Sequence, residues 1–92
     1  MKSRRDDVAR LAGVSVGQVL PATPDDVRAA YADRASSVVV EVACSGVAET
    51  GEPCYYWRVG QTYYLDDATF GDVVAIDDLD YNSEIGLHVR RR

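Results

Sequence analysis

Asp78, Asp80 and Asn82 stand at alternate positions in the run Asp77-Asp78-Leu79-Asp80-Tyr81-Asn82-Ser83-Glu84. That is the spacing of the first three ligands of a calcium loop. The glycine such a loop needs at its sixth position is Ser83, and the bidentate glutamate at its twelfth is Val89. The run therefore reads as a solvated acidic turn. His88 is the single histidine. As a general base it would need a nucleophile and an orienting acid beside it, and no spacing supplies them. Cys44 and Cys54 flank the loop 45–53. They suit a disulfide if the flanking strands pair, and two small packed thiols in a reducing compartment. Two cysteines and one distant histidine do not make a zinc site. No glycine-rich phosphate loop occurs. We assign no catalytic residue, metal or cofactor, and expect no enzyme.

Recognition chemistry is better represented. Tyr55 to Leu65 holds most of the aromatic residues. A Gly at the first central position of a two-residue turn supplies the positive φ of a type II′ hairpin, and Gly60-Gln61 fits that place. The register then sets Val59 against Thr62, Arg58 against Tyr63 and Trp57 against Tyr64. One face carries Tyr55, Trp57, Val59, Thr62 and Tyr64; the other carries Tyr56, Arg58, Tyr63 and Leu65. With Trp57 and Tyr64 turned to the core, Tyr56, Arg58 and Tyr63 become an exposed face. Arg58 there is placed for a cation–π contact with Tyr63. Tyr, Trp and Arg dominate protein interfaces.

The charges separate along the chain. Lys2, Arg4, Arg5, Arg90, Arg91 and Arg92 put +6 at the two ends. Between them four basic residues meet all fifteen acidic ones, a charge of −11. An acidic body disfavours nucleic acid and favours basic partners. Asp66, Asp67, Asp72, Asp77, Asp78 and Asp80 lie in the connections around the apolar run 73–76; these leave opposite ends of that strand and need not form one patch, but the strand is short, about 13 Å, so both ends can still lie on one small acidic edge.

These groups need elements to carry them. Ser3 to Asp6 reads as a helix start, with Val8, Leu11 and Ala12 as an apolar stripe and Gly13 as the stop. Thr23-Pro24-Asp25-Asp26 is a stronger start: a cap, Pro at the first helical position and acids on the helix dipole. The helix is expected to run to about Ala35, packing through Val27, Ala30, Tyr31 and Arg34. Ser36 to Cys44 alternates Val38, Val40 and Val42 with Val39, Glu41 and Ala43, and reads as a strand. Phe70 is expected to anchor the connection after the hairpin. Val73 to Ile76 reads as a short buried strand. The last strand has Ile85, Leu87 and Val89 inward and His88 outward.

Asp7-Val8-Ala9-Arg10-Leu11-Ala12-Gly13-Val14-Ser15-Val16 resembles the opening of the helix-turn-helix of the lac-repressor family. The resemblance implies Ala9 in the first helix, Gly13 in the turn, Ser15 capping a recognition helix and Val19 as its apolar anchor. It covers about a sixth of the chain. Beyond it the chain departs, reading Gln18-Val19-Leu20-Pro21. Gly17 and Pro21 would cut a recognition helix short. What the resemblance implies is a DNA-binding regulator using Ser15, Val16 and Gln18 near bases and Lys2, Arg4 and Arg5 at phosphates. The competing reading of 15–20 is an extended segment.

The whole is expected to be a single α+β domain, 1–92. Two short N-terminal helices (1–35) precede a four- to five-stranded antiparallel sheet (36–92), open or rolled toward a small barrel. No apolar run is long enough for a membrane helix, and no secretory h-region follows the basic start. A cytoplasmic protein is the default. The function expected is a non-catalytic acidic protein-binding module, like the small phage or mobile-element proteins that inhibit a host complex or join an assembly. Its partner would be a basic protein surface or a second copy. Its contacts would be Tyr56, Arg58, Tyr63, Asp66, Asp67, Asp77, Asp78 and Asp80.

Overall fold

The computed structural model describes residues 4–33, 39–41, 54–67, 72–85 and 87–90. Helix α1 is Arg5–Ala12 and α2 is Pro24–Tyr31. A single 3-10 turn, Val16–Gln18, leads into strand β1, Leu20–Ala22. Strands β2 (Cys54–Val59), β3 (Thr62–Asp67) and β4 (Asp72–Ala75) follow. A second 3-10 turn, Ile76–Asp78, precedes β5 (Leu79–Asn82) and β6 (Leu87–Arg90). The class is α+β. The main sheet is antiparallel, ordered β1-β2-β3-β4, and open; β5 and β6 form a separate two-stranded sheet.

The hairpin β2–β3 has the register read from its turn. Val59 pairs with Thr62, Arg58 with Tyr63 and Trp57 with Tyr64. Gly60 has φ 59, and no described non-glycine residue has positive φ, so Gln61 is on the ordinary side. One positive φ, at the first central position, is the type II′ pattern. β1 adds to β2 with Leu20 opposite Arg58 and Ala22 opposite Tyr56. Pro21 is tolerated because β1 is an edge.

Both faces of this sheet are covered. Val8 and Ala9 of α1 bury against Val19, Tyr64 and Val73, with Trp57, Val59 and Ala75 partly buried around them. The stripe is thus rotated from the expected one. Leu11 is exposed, and the small Ala9 and Ala12 let α1 approach the strands. α2 lies on the opposite face. Its Val27 and Tyr31 pack with Tyr56, Leu65, Val74, Ile76 and Leu79. The rings of Tyr31 and Tyr63 meet edge to face, 6.1 Å apart at 72°.

The capping signals work as expected at α2. The Asp26 N–H donates to Thr23 Oγ1 at 3.1 Å, and the Thr23 N–H donates to Asp26 Oδ2 at 3.0 Å. Gly13 closes α1 at φ 74, its N–H donating to the Ala9 carbonyl. The hydrogen bond from the Thr23 N–H, then that with its hydroxyl, hold the Asp26 carboxyl below its usual value, and the Arg58 charge adds to this. A depressed value contributes stability above the unfolded value, near 3.8, that is lost as pH falls through the folded one. We therefore expect Asp26→Asn to lower the melting temperature at neutral pH and to flatten its fall in acid. An unchanged acid profile would show that this capping pair is inert.

Two expectations are overturned. Residues 39–41 are helical, within the segment read as the clearest strand. Val39 and Val40 are both buried in the same cluster and Glu41 is exposed. Neighbouring residues can share the buried side of a helix, whereas a strand would send them to opposite faces. β-branching lowers helix propensity only slightly, so packing decides. The second concerns the last hairpin. Ile85 and Val89, expected inward, are 59% and 42% exposed. Leu79 of β5 supplies the buried contact instead.

Candidate functional site

The residues singled out for recognition fall into three groups. The first was to be an exposed aromatic face. Tyr56 is buried beneath α2, and Tyr63 is half-buried against Tyr31. Arg58 is half-buried, with its Nη1 donating to the Gly60 carbonyl at 2.8 Å across the turn it precedes. Both faces of the hairpin carry rings, and both are covered. What remains there is an open depression of about 370 Å³ lined by Ala30, Arg58, Gly60, Gln61 and Tyr63.

The second group centres on Asp66, which is 7% exposed and so is no surface acid. Arg4 Nε donates to its Oδ1 at 2.9 Å, and Trp57 Nε1 donates to its Oδ2 at 3.5 Å. The Arg5 guanidinium stands 5.3 Å from the centroid of the Trp57 ring. Arg4 also lies 4.0 Å from Asp7. Arg4 and Arg5 thus tie α1 to the sheet, where the sequence offered them to phosphates. Sequence parity contained a signal for the burial of Asp66. Asp66 shares the face of Tyr64 and Trp57, the face assigned to the core.

The third group is acidic and exposed. Asp77 and Asp78 sit on the second 3-10 turn, Asp80 on β5 and Glu84 in the β5–β6 turn. Exposed Ile85 and Val89 lie on the same hairpin. An open depression of about 480 Å³ is lined by Asp80, Tyr81, Asn82, Ser83, Glu84 and Val89. Asn82 Oδ1 accepts the Glu84 N–H at 3.0 Å, which shapes the turn. Burial first, then the charges of Asp78 and Asp77, push the Tyr64 phenol above 10.0, so it stays neutral. Among the described residues no three His, Cys, Asp or Glu side chains gather to hold a metal ion. Asp67 and Asp72 are directly opposite at one end of β4, and Asp77 and Asp78 follow the other.

In the helix-turn-helix segment, Ser15, Val16 and Gln18 are exposed. The Ser15 N–H and hydroxyl both donate to Gln18 Oε1 at 3.3 Å, so that side chain folds back on the cap. The helical part is one 3-10 turn before Val19 is buried and β1 begins. Lys2, Cys44 and Phe70 lie outside the described residues, as do the side chains of Cys54, Asp67, Leu87 and His88. No described helix is long and apolar enough to cross a membrane. No protein-family model, curated protein or solved structure matches this chain.

Proposed function

We propose that this chain is a non-catalytic protein-binding module whose acidic hairpin docks a partner with a basic surface. The kind is that of small phage or mobile-element proteins that inhibit a host complex or join an assembly. One observation carries the reading. Asp77, Asp78, Asp80 and Glu84 are exposed together with Ile85 and Val89 on a single hairpin and the turn before it. Apolar contacts supply area, and surrounding charge supplies orientation and encounter rate. The expected contacts therefore move from the aromatic hairpin to β5–β6.

A DNA-binding alternative draws support from the exposure of Ser15, Val16 and Gln18 after α1. Against it weigh the net charge of −5, the single 3-10 turn and the pairing of Arg4 with Asp66.

The test is affinity capture with the whole chain, followed by titration of the captured partner in salt. We expect affinity to fall about tenfold between roughly 0.05 and 0.5 M salt, as exposed charges are screened. Asp77→Asn with Asp78→Asn should reduce it at low salt and remove most of the salt dependence. Binding indifferent to both would refute the acidic module. A specific duplex footprint with a steep salt slope would install the DNA reading instead.

A further inference from the structure

We propose that the depression between the β2–β3 turn and α2 binds a carboxylate monoanion bearing a small apolar group, with Arg58 as its charge partner. This goes beyond the acidic hairpin and uses none of its residues. Its failure would leave that reading untouched.

Arg58 is singled out by what the other arginines do. Among the described side chains, Arg4 meets Asp66 at 2.9 Å, Arg10 meets Asp7 at 3.3 Å and Arg28 meets Asp25 at 2.9 Å. Arg5 stands over the Trp57 ring. Arg58 alone among them meets neither a carboxylate nor a ring. Its described hydrogen bond goes to the Gly60 carbonyl. That bond restrains the guanidinium and takes one of its five N–H donors. Asp26 feels the Arg58 charge, but its carboxylate is committed to the Thr23 N–H at 3.0 Å. In a chain with fifteen acidic and ten basic residues, a half-buried arginine without a carboxylate is the exception.

The surroundings suit a ligand with one charge and one apolar side. Tyr63 stands directly across the hairpin from Arg58. Its ring is held edge to face by Tyr31 of α2, and Ala30 lines the depression from the same helix. Gln61, exposed in the turn, adds an amide with both donors and an acceptor. Among the described residues, neither that amide nor the Tyr63 hydroxyl has a hydrogen-bond partner. The volume, about 370 Å³, lies at the low end for small-molecule sites. One guanidinium offers a carboxylate two parallel N–H bonds. A phosphate dianion calls for more positive charge, and here Asp26 and the net charge of −5 oppose it. The same chemistry has two sources, a free small acid or the carboxyl end of a peptide.

Amide chemical shifts of the isotope-labelled full chain test this. The probes are phenylacetate, a free acid, and N-acetylglycylphenylalanine, a chain end. Phenylacetamide and inorganic phosphate are the controls. We expect the Gly60, Gln61 and Tyr63 amides to shift with either carboxylate, with a dissociation constant of about 1 mM for the better one. The tighter carboxylate names the source. Both controls should bind about tenfold more weakly or worse. Arg58→Lys keeps the charge but loses the fork, and should weaken the carboxylate about tenfold. Gln61→Ala, at an exposed turn position, should weaken it about threefold and decides the matter if Arg58→Lys disturbs the fold. Unchanged carboxylate affinity in a folded Arg58→Lys chain overturns the proposal. So does unchanged affinity in Gln61→Ala when Arg58→Lys does not fold. Equal binding of phenylacetamide or phosphate overturns it too, as do shifts confined to other parts of the chain, or no saturable shift below about 10 mM.

Discussion

Denaturant unfolding of Tyr56→Ala is expected to give a stability about 3–5 kcal/mol below the parent, while Tyr55→Ala stays within about 0.5 kcal/mol. The two tyrosines are adjacent in β2 and point to opposite faces. Tyr56 is 3% exposed, in the cluster that joins α2 to the sheet. Truncating it removes the ring and leaves a cavity between Val27, Leu65 and their neighbours. Tyr55 is 59% exposed and has little to lose. A domain of this length has about 5–14 kcal/mol in total, so the first change takes a large share. Equal losses at the two positions would mean that α2 does not cover this face.

A thermodynamic cycle on Arg4 and Asp66 is expected to show strong coupling. Arg4→Ala strands a carboxylate whose side chain is 9% exposed, with the 3.5 Å Trp57 N–H as its remaining described partner. Losing one member of a buried pair costs about 3–5 kcal/mol. Arg4 is itself a third exposed, so the pair is partly screened, and we expect about 2–3 kcal/mol. On an Asp66→Asn background no charge is stranded, and the same Arg4→Ala change should cost about 1 kcal/mol or less. Additive losses in urea unfolding would show that the pair is incidental to stability.

These two sites show what the chain discloses by itself. Gly60 discloses the hairpin, since one residue's backbone freedom fixes which strand residues meet. Thr23-Pro24-Asp25-Asp26 discloses α2 because capping is local chemistry. Alternation is less informative where both faces carry rings. It sorted Tyr56 from Trp57 correctly, but solvent was assigned to a face that α2 covers. In the last hairpin it also misled, because Ile85 in the turn and Val89 in β6 alternate as a buried strand would, yet the hairpin turns its Leu79 inward instead. Val39 to Glu41 misled for another reason. Intrinsic strand preference is weak beside burial, and Val39 with Val40 buries well on a helical turn. The partner of Asp66 was invisible to any local rule, lying 62 residues away.

That separation has a consequence for how the chain is made. Arg4 and the buried face of α1 are synthesised before Asp66, Tyr64 and Val73, the sheet residues they meet. At about 5–20 residues per second, the 62 residues between Arg4 and Asp66 take roughly 3–12 seconds to emerge. An eight-residue helix has little stability alone. The α1 segment therefore spends those seconds without the surface it belongs to, and although made ahead of the strands it is among the last elements to find its place.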